Sequence, residues 1–220
     1  MVKRWWFEKM HGIGLHKLMN ESIGNTAAGG RPSGLQKVLQ FWPFLYIPFA
    51  LAWVYVTRGN GWDWLCSRES TEIIALPLVA VSILSYGILA SKTKNELIIA
   101  MTLLNVAFFC REWHFVGTSN GIYVALLAFA GWYIYRYKVI GPMIAGTQLK
   151  IWLMATASGY FLSQIIARRV FAERHLGGLP MEKHYHISFE ETFEVTAHLM
   201  MIVSSFMAWK LFSGREKEGE

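Results

Sequence analysis

An all-α, polytopic transmembrane helical bundle of about six spans is what the amino-acid sequence predicts, and three features carry that expectation. Hydrophobic residues make up 54% of the 220 and charged residues only 16%, whereas a soluble domain carries about 25% charged residues. Mean hydropathy is positive, and the apolar residues gather into stretches of roughly 20, the length at which a helix crosses a hydrocarbon core of about 30 Å with its backbone polar groups satisfied internally. Alternating hydrophobicity of the barrel type is absent. Disorder and a fully solvated single core are thereby excluded, because the surplus apolar surface needs lipid.

The six stretches run approximately over 38–57, 73–90, 96–115, 122–140, 149–171 and 191–212. Each meets polar residues near one end: Arg58, Ser91-Lys92, Arg111-Glu112, Arg136 with Lys138, Arg168-Arg169, and Lys210. Pro43 and Pro48 fall inside the first span, where each removes a helical N–H and favours a bend. Residues 1–37 form a separate cytoplasmic amphipathic region and linker. Trp6, Met10, Ile13 and Lys17 recur at helical spacing beside Lys3, Arg4 and Lys9, as in a helix lying in the headgroup layer; a frayed basic tail accounts for the same residues. No compact apolar leader precedes the first span, so that span is expected to act as an uncleaved signal anchor. Residues 213–220 are a charged cytoplasmic tail.

Charge sets the orientation. The formal net charge of +6 would point to nucleic acid in a soluble protein, but in a membrane protein it reports topology. With six spans, fourteen of the 21 Lys and Arg residues lie on the side of both termini and seven on the other, which places both termini in the cytoplasm of an inner membrane and excludes a nucleic-acid partner. Trp62, Trp64 and Trp113 then fall near the outer interface, and Trp152 and Trp209 near the inner one.

The outer side is where chemistry is expected, since it holds nine of the 15 acids and His114, His175, His184, His186 and His198. Glu190, Glu191, Glu194 and His198 open the sixth span, and the separations of three, four and seven residues put Glu191, Glu194 and His198 on one helical face. Ionisable groups within a span cost several kcal/mol unless they face protein or water, so this face points into the bundle. It serves either a ligand, metal or proton site or the packing of the helices. Arg111-Glu112-Trp113-His114 closes the third span. Arg111 against Glu191 or Glu194 makes a buried ion pair, whereas His114 and His198 with Glu112 or Glu194 make a donor set suited to Zn or Fe. Tyr160, Gln164 and Arg168 share a stripe of the fifth span, and Arg168 either completes the same cavity or reaches headgroups. Cys66 and Cys110 are the only cysteines; an oxidising periplasm permits a disulfide between them.

Two runs carry a resemblance. Arg111-Glu112-Trp113-His114 resembles an R-E-x-x-H motif, with His114 one place nearer the glutamate, and Glu190-Glu191-Thr192-Phe193-Glu194 resembles E-E-x-x-E. Together they are similar to those of small bacterial polytopic inner-membrane proteins, a resemblance that brings no biochemical assignment. The chain departs from ceramidase-like membrane hydrolases, lacking His-x-x-x-His in the last span and Ser-x-x-x-His in the second. Three functions are therefore expected, in order. First is a multi-pass protein whose outward-facing cavity, lined by Arg111, Glu112, Glu190, Glu191, Glu194, His198 and Arg168, binds a small polar or lipid-headgroup ligand or relays protons. Next is a subunit of a larger membrane complex, and then an embedded metal-dependent enzyme acting on a lipid-like substrate with His114, His198, Glu194 and Glu112 around a divalent metal. Expected partners are membrane lipids and either another membrane protein or a second copy of the chain.

Overall fold

The computed structural model describes residues 40–113, 118–171 and 182–213. These residues are helical, with six α-helices and no strand among them: α1 Tyr46–Gly59, α2 Arg68–Thr93, α3 Glu96–Glu112, α4 Thr118–Ile144, α5 Gln148–Ala167 and α6 Glu182–Ser213. Short 3-10 turns, Trp42–Leu45 and Asp63–Cys66, precede α1 and α2. The N-terminal region, His114, His175 and the charged tail lie outside the described residues.

Of the described helices, α2 and α6 are long and apolar enough to cross a membrane. The expectation of six spans is met to that extent. At 14 and 17 residues, α1 and α3 fall short of the roughly 20 that a full crossing takes. The 27 residues of α4 include Arg136, Lys138 and four tyrosines, which dilute its apolar character.

Local sequence explains the boundaries. Pro43 falls in the 3-10 turn and Pro48 in the first turn of α1, where a helix has no carbonyl partner for the missing N–H, so α1 starts late. Lys94, in the left-handed region at φ 48°, closes α2, and Asn95 immediately caps α3 by accepting hydrogen bonds from the backbone N–H of Leu97 at 3.0 Å and Ile98 at 3.4 Å. The two helices turn back on each other through these two residues. Ser82 donates to Asn105 at 2.7 Å across this antiparallel pair.

Buried residues follow a stripe on each helix: Thr71, Ala75, Val79, Ser82, Tyr86 and Leu89 on α2, and Leu97, Ile98, Met101, Leu104, Asn105 and Phe108 on α3. α6 packs most extensively against α5 and also contacts α2 and α1, while α3 lies between α2 and α4. Two apolar clusters result. One joins α2, α3, α4 and the second half of α6 through Val79, Tyr86, Met101, Phe108, Ile140 and Met201; the other joins α1, α5 and the first half of α6 through Tyr46, Val54, Trp152, Phe193 and Ala197. Trp152 is thus buried instead of facing an interface. Hydroxyl pairs stitch the helices, among them Tyr86 Oη to Ser204 Oγ at 2.6 Å, Ser85 to Ser205 at 2.7 Å and Tyr46 to Ser158 at 2.8 Å.

Candidate functional site

The end of α3, the second half of α5 and α6 up to about its midpoint meet at the site. Arg111 on α3 reaches Glu194 on α6 with both terminal nitrogens, Nη1 to Oε1 and Nη2 to Oε2, the latter at 3.2 Å. This fork fixes the orientation of both side chains. The neighbouring residue, Glu112, points to His198, one turn beyond Glu194 on α6, with Glu112 Oε1 3.9 Å from His198 Nε2. That separation exceeds hydrogen-bond reach. Among the described residues neither atom has another hydrogen-bond partner, and both are shut off from solvent.

The other imidazole nitrogen is held firmly. Tyr160 Oη of α5 lies 2.6 Å from His198 Nδ1, and the Tyr160 ring is stacked on Phe108 with centroids 4.2 Å apart and planes 10° from parallel. Phe108 precedes Glu112 by four residues, so the aromatic wall and the carboxylate share a face of α3. His198 also lies edge-on to both rings. Side-chain exposures of 1% for His198, 8% for Glu194, 10% for Glu112 and 23% for Arg111 describe a site closed by protein, with Arg111 at its rim. One oxygen of Glu112, one of Glu194 and one nitrogen of His198 lie within 4.8 Å of one another.

The remaining expected residues divide between this site and its surroundings. Glu191 turns from Glu194 toward α2, where its Oε2 accepts a hydrogen bond from Thr71 Oγ1 at 2.8 Å. Glu190 is within electrostatic range of Glu194, Arg111 and Arg68. Arg68 is bonded to Glu72 at 2.7 Å. Arg168 does not join the cluster: it lies over the Tyr123 ring and donates to its hydroxyl at 3.3 Å, while that hydroxyl donates to Gln164 at 2.8 Å. His114 falls outside the described residues. Cys66 and Cys110 are both free, and Cys66 is buried 3.1 Å from Thr57 Oγ1, so the permitted disulfide is not formed.

A second polar knot fastens α1 to the same end of α6. Arg58 donates to Ser188 Oγ through Nε at 3.0 Å and Nη2 at 2.6 Å, pairs with Asp63 at 3.2 Å and lies over the Tyr185 ring. All of its nitrogens are committed, so this knot is structural. Phe108 and Thr71 had no role in the expected site; the four-residue spacing of Phe108 to Glu112 was the sequence signal for the first, and none marked the second.

No protein-family model matches the chain, and no curated protein or solved structure matches it either; the chemistry of the site rests on its own residues.

Proposed function

We propose that the chain is a multi-pass inner-membrane protein with both termini cytoplasmic, and that the site between α3, α5 and α6, at the outer end of the bundle, binds a small cation. Support for the membrane setting comes from large apolar side chains exposed on all six helices, including Phe49, Ile73, Leu103, Leu127, Phe161 and Phe206. Extensive exposed apolar surface is rare on soluble monomers. The Lys and Arg distribution supports the orientation.

The observation that carries the ligand reading is the pair of buried, unpartnered atoms Glu112 Oε1 and His198 Nε2. Each such atom costs about 1–3 kcal/mol, a cost that a bound ligand would offset at both atoms at once. Charge gives the sign of the ligand. Among the described residues, the carboxylates of Glu194, Glu191 and Glu72 lie within electrostatic range of Glu112, against the guanidinium of Arg111. A proton relay is less well supported, since the 3.9 Å gap between His198 and Glu112 interrupts the line from Tyr160.

The test is thermal unfolding of the full chain in detergent, after dialysis against chelator, with a panel of ammonium, alkylammonium, alkali and divalent cations. A cation at 100 times its dissociation constant stabilises the fold by about 2.7 kcal/mol, and Glu112→Gln should lose that gain. Equal shifts in wild type and Glu112→Gln, or none with any cation, would overturn the reading.

A further inference from the structure

Glu112, Glu194 and His198 are contributed by two helices that the chain brings together from positions more than 80 residues apart, and a third helix supplies Tyr160 behind the imidazole. We infer that the cation is a single divalent transition-metal ion, zinc or ferrous iron, bound by Glu112, Glu194 and His198 Nε2, with Tyr160 as the positioning residue. This rests on the cation-site reading above and names the cation.

The spacing of the donors favours a metal at one pair and admits it at the others. Two donors on one metal at about 2.1 Å are spaced about 3.4 Å apart in a tetrahedron and at most about 4.2 Å in any geometry. An ammonium group that hydrogen-bonds at about 2.8 Å spreads its acceptors to about 4.6 Å. Glu112 Oε1 and His198 Nε2 stand 3.9 Å apart, within the metal range and short of the ammonium one. The widest pair, at no more than 4.8 Å, closes to metal distance by a movement of about 1 Å.

Donor chemistry narrows the choice further. An imidazole nitrogen among the donors favours zinc, iron, copper or nickel over magnesium and calcium, which take oxygen. Two carboxylates without a thiolate disfavour cuprous copper. Among the described residues the donors number three, as at catalytic zinc sites, structural ones taking four.

The surroundings are those a ligating histidine has. In the tautomer whose Nδ1–H donates to Tyr160 Oη, the lone pair of Nε2 is left free for the metal. Because the Tyr160 ring is stacked on Phe108, the hydroxyl cannot swing away. Arg111 holds both oxygens of Glu194 and so orients the second donor while keeping part of its charge neutralised.

Cobaltous ion is the probe, since it occupies zinc and iron sites and reports its donors through its visible absorption. The chelator-stripped full chain in detergent should bind one equivalent and develop that absorption. His198→Asn and Glu112→Gln should each abolish the saturable phase. Tyr160→Phe, which keeps the stacked ring, should retain the stoichiometry with affinity 10- to 100-fold weaker. Monodisperse elution and helical circular dichroism establish that each variant is folded. If cobalt fails to bind while ammonium or alkylammonium still stabilises the wild type and not Glu112→Gln, the cation site stands and the metal assignment falls. If cobalt binds the His198→Asn, Glu112→Gln double variant as it binds wild type, the ion sits elsewhere and the assignment also falls. Equal affinities for wild type and Tyr160→Phe overturn the role given to Tyr160.

Discussion

Glu194 does two jobs that a single substitution can separate. It neutralises Arg111 and it presents an oxygen to the site. Removing one partner of a largely buried pair leaves the other charge uncompensated, so Glu194→Ala is expected to lower the unfolding free energy in detergent by about 3 kcal/mol. Replacing both partners by apolar residues, Arg111→Met with Glu194→Leu, should recover most of that loss yet leave cation binding abolished. A double variant as unstable as the single one would show that the pair holds the helices together beyond its own charges. At this scale the sequence already placed Glu194 and His198 on one helical face, because the four-residue spacing is a property of any α-helix. It left Arg111 with two possible partners, Glu191 and Glu194, and the structure pairs it with Glu194. Glu112 beside His198 was legible only as one of two alternatives, since that encounter depends on where α3 stands relative to α6.

Helix positions are set by close approach as much as by hydrophobic pattern. A Cβ at Gly159 on α5 would come within 3.0 Å of Ala197 Cβ and 3.2 Å of Met200 Cε on α6, so glycine is what lets these helices touch. Tyr160 and His198 are the next residues along, which ties the site to this contact. Gly159→Val is therefore expected to cost about 1–3 kcal/mol by overpacking and to weaken cation binding at the same time. A variant that loses stability with its binding isotherm intact would show that the site tolerates displacement of α5. Element boundaries were readable where a residue forces them. Pro43 and Pro48 delay α1, and Lys94 with Asn95 turns the chain from α2 into α3. The start of α6 at Glu182 instead of near 191 was not readable, because the polar turns 182–190 lack an apolar run. They are held by contacts with α1, such as Arg58 to Ser188, that no local pattern announces.

For the molecule as a whole, the proposed topology makes a direct prediction. Alkaline phosphatase fused within 60–67 should be active, and a fluorescent protein fused after the C-terminus should fluoresce, because the first is exported and the second stays in the cytoplasm. The reverse pattern would turn the site to the cytoplasmic face. The all-helical class followed from composition and from the length of the apolar stretches, quantities that need no knowledge of which helix touches which. Crossing is less uniform than those stretches implied, as α2 and α6 alone among the described helices have both the length and the apolar character for it. The proposed orientation rests on charges spread along the chain and is likewise read from the sequence. The site is not. Glu112 and His198 are 86 positions apart and Tyr160 lies between them in the chain; what unites them is the stacking of Phe108 on Tyr160 and the close passage of α5 along α6 at Gly159. Helical periodicity is local and repeats within a few residues, so the sequence displays it directly. The meeting of three helices is a many-body packing outcome, and the buried, unpartnered atoms that point to a ligand exist only once that packing is complete.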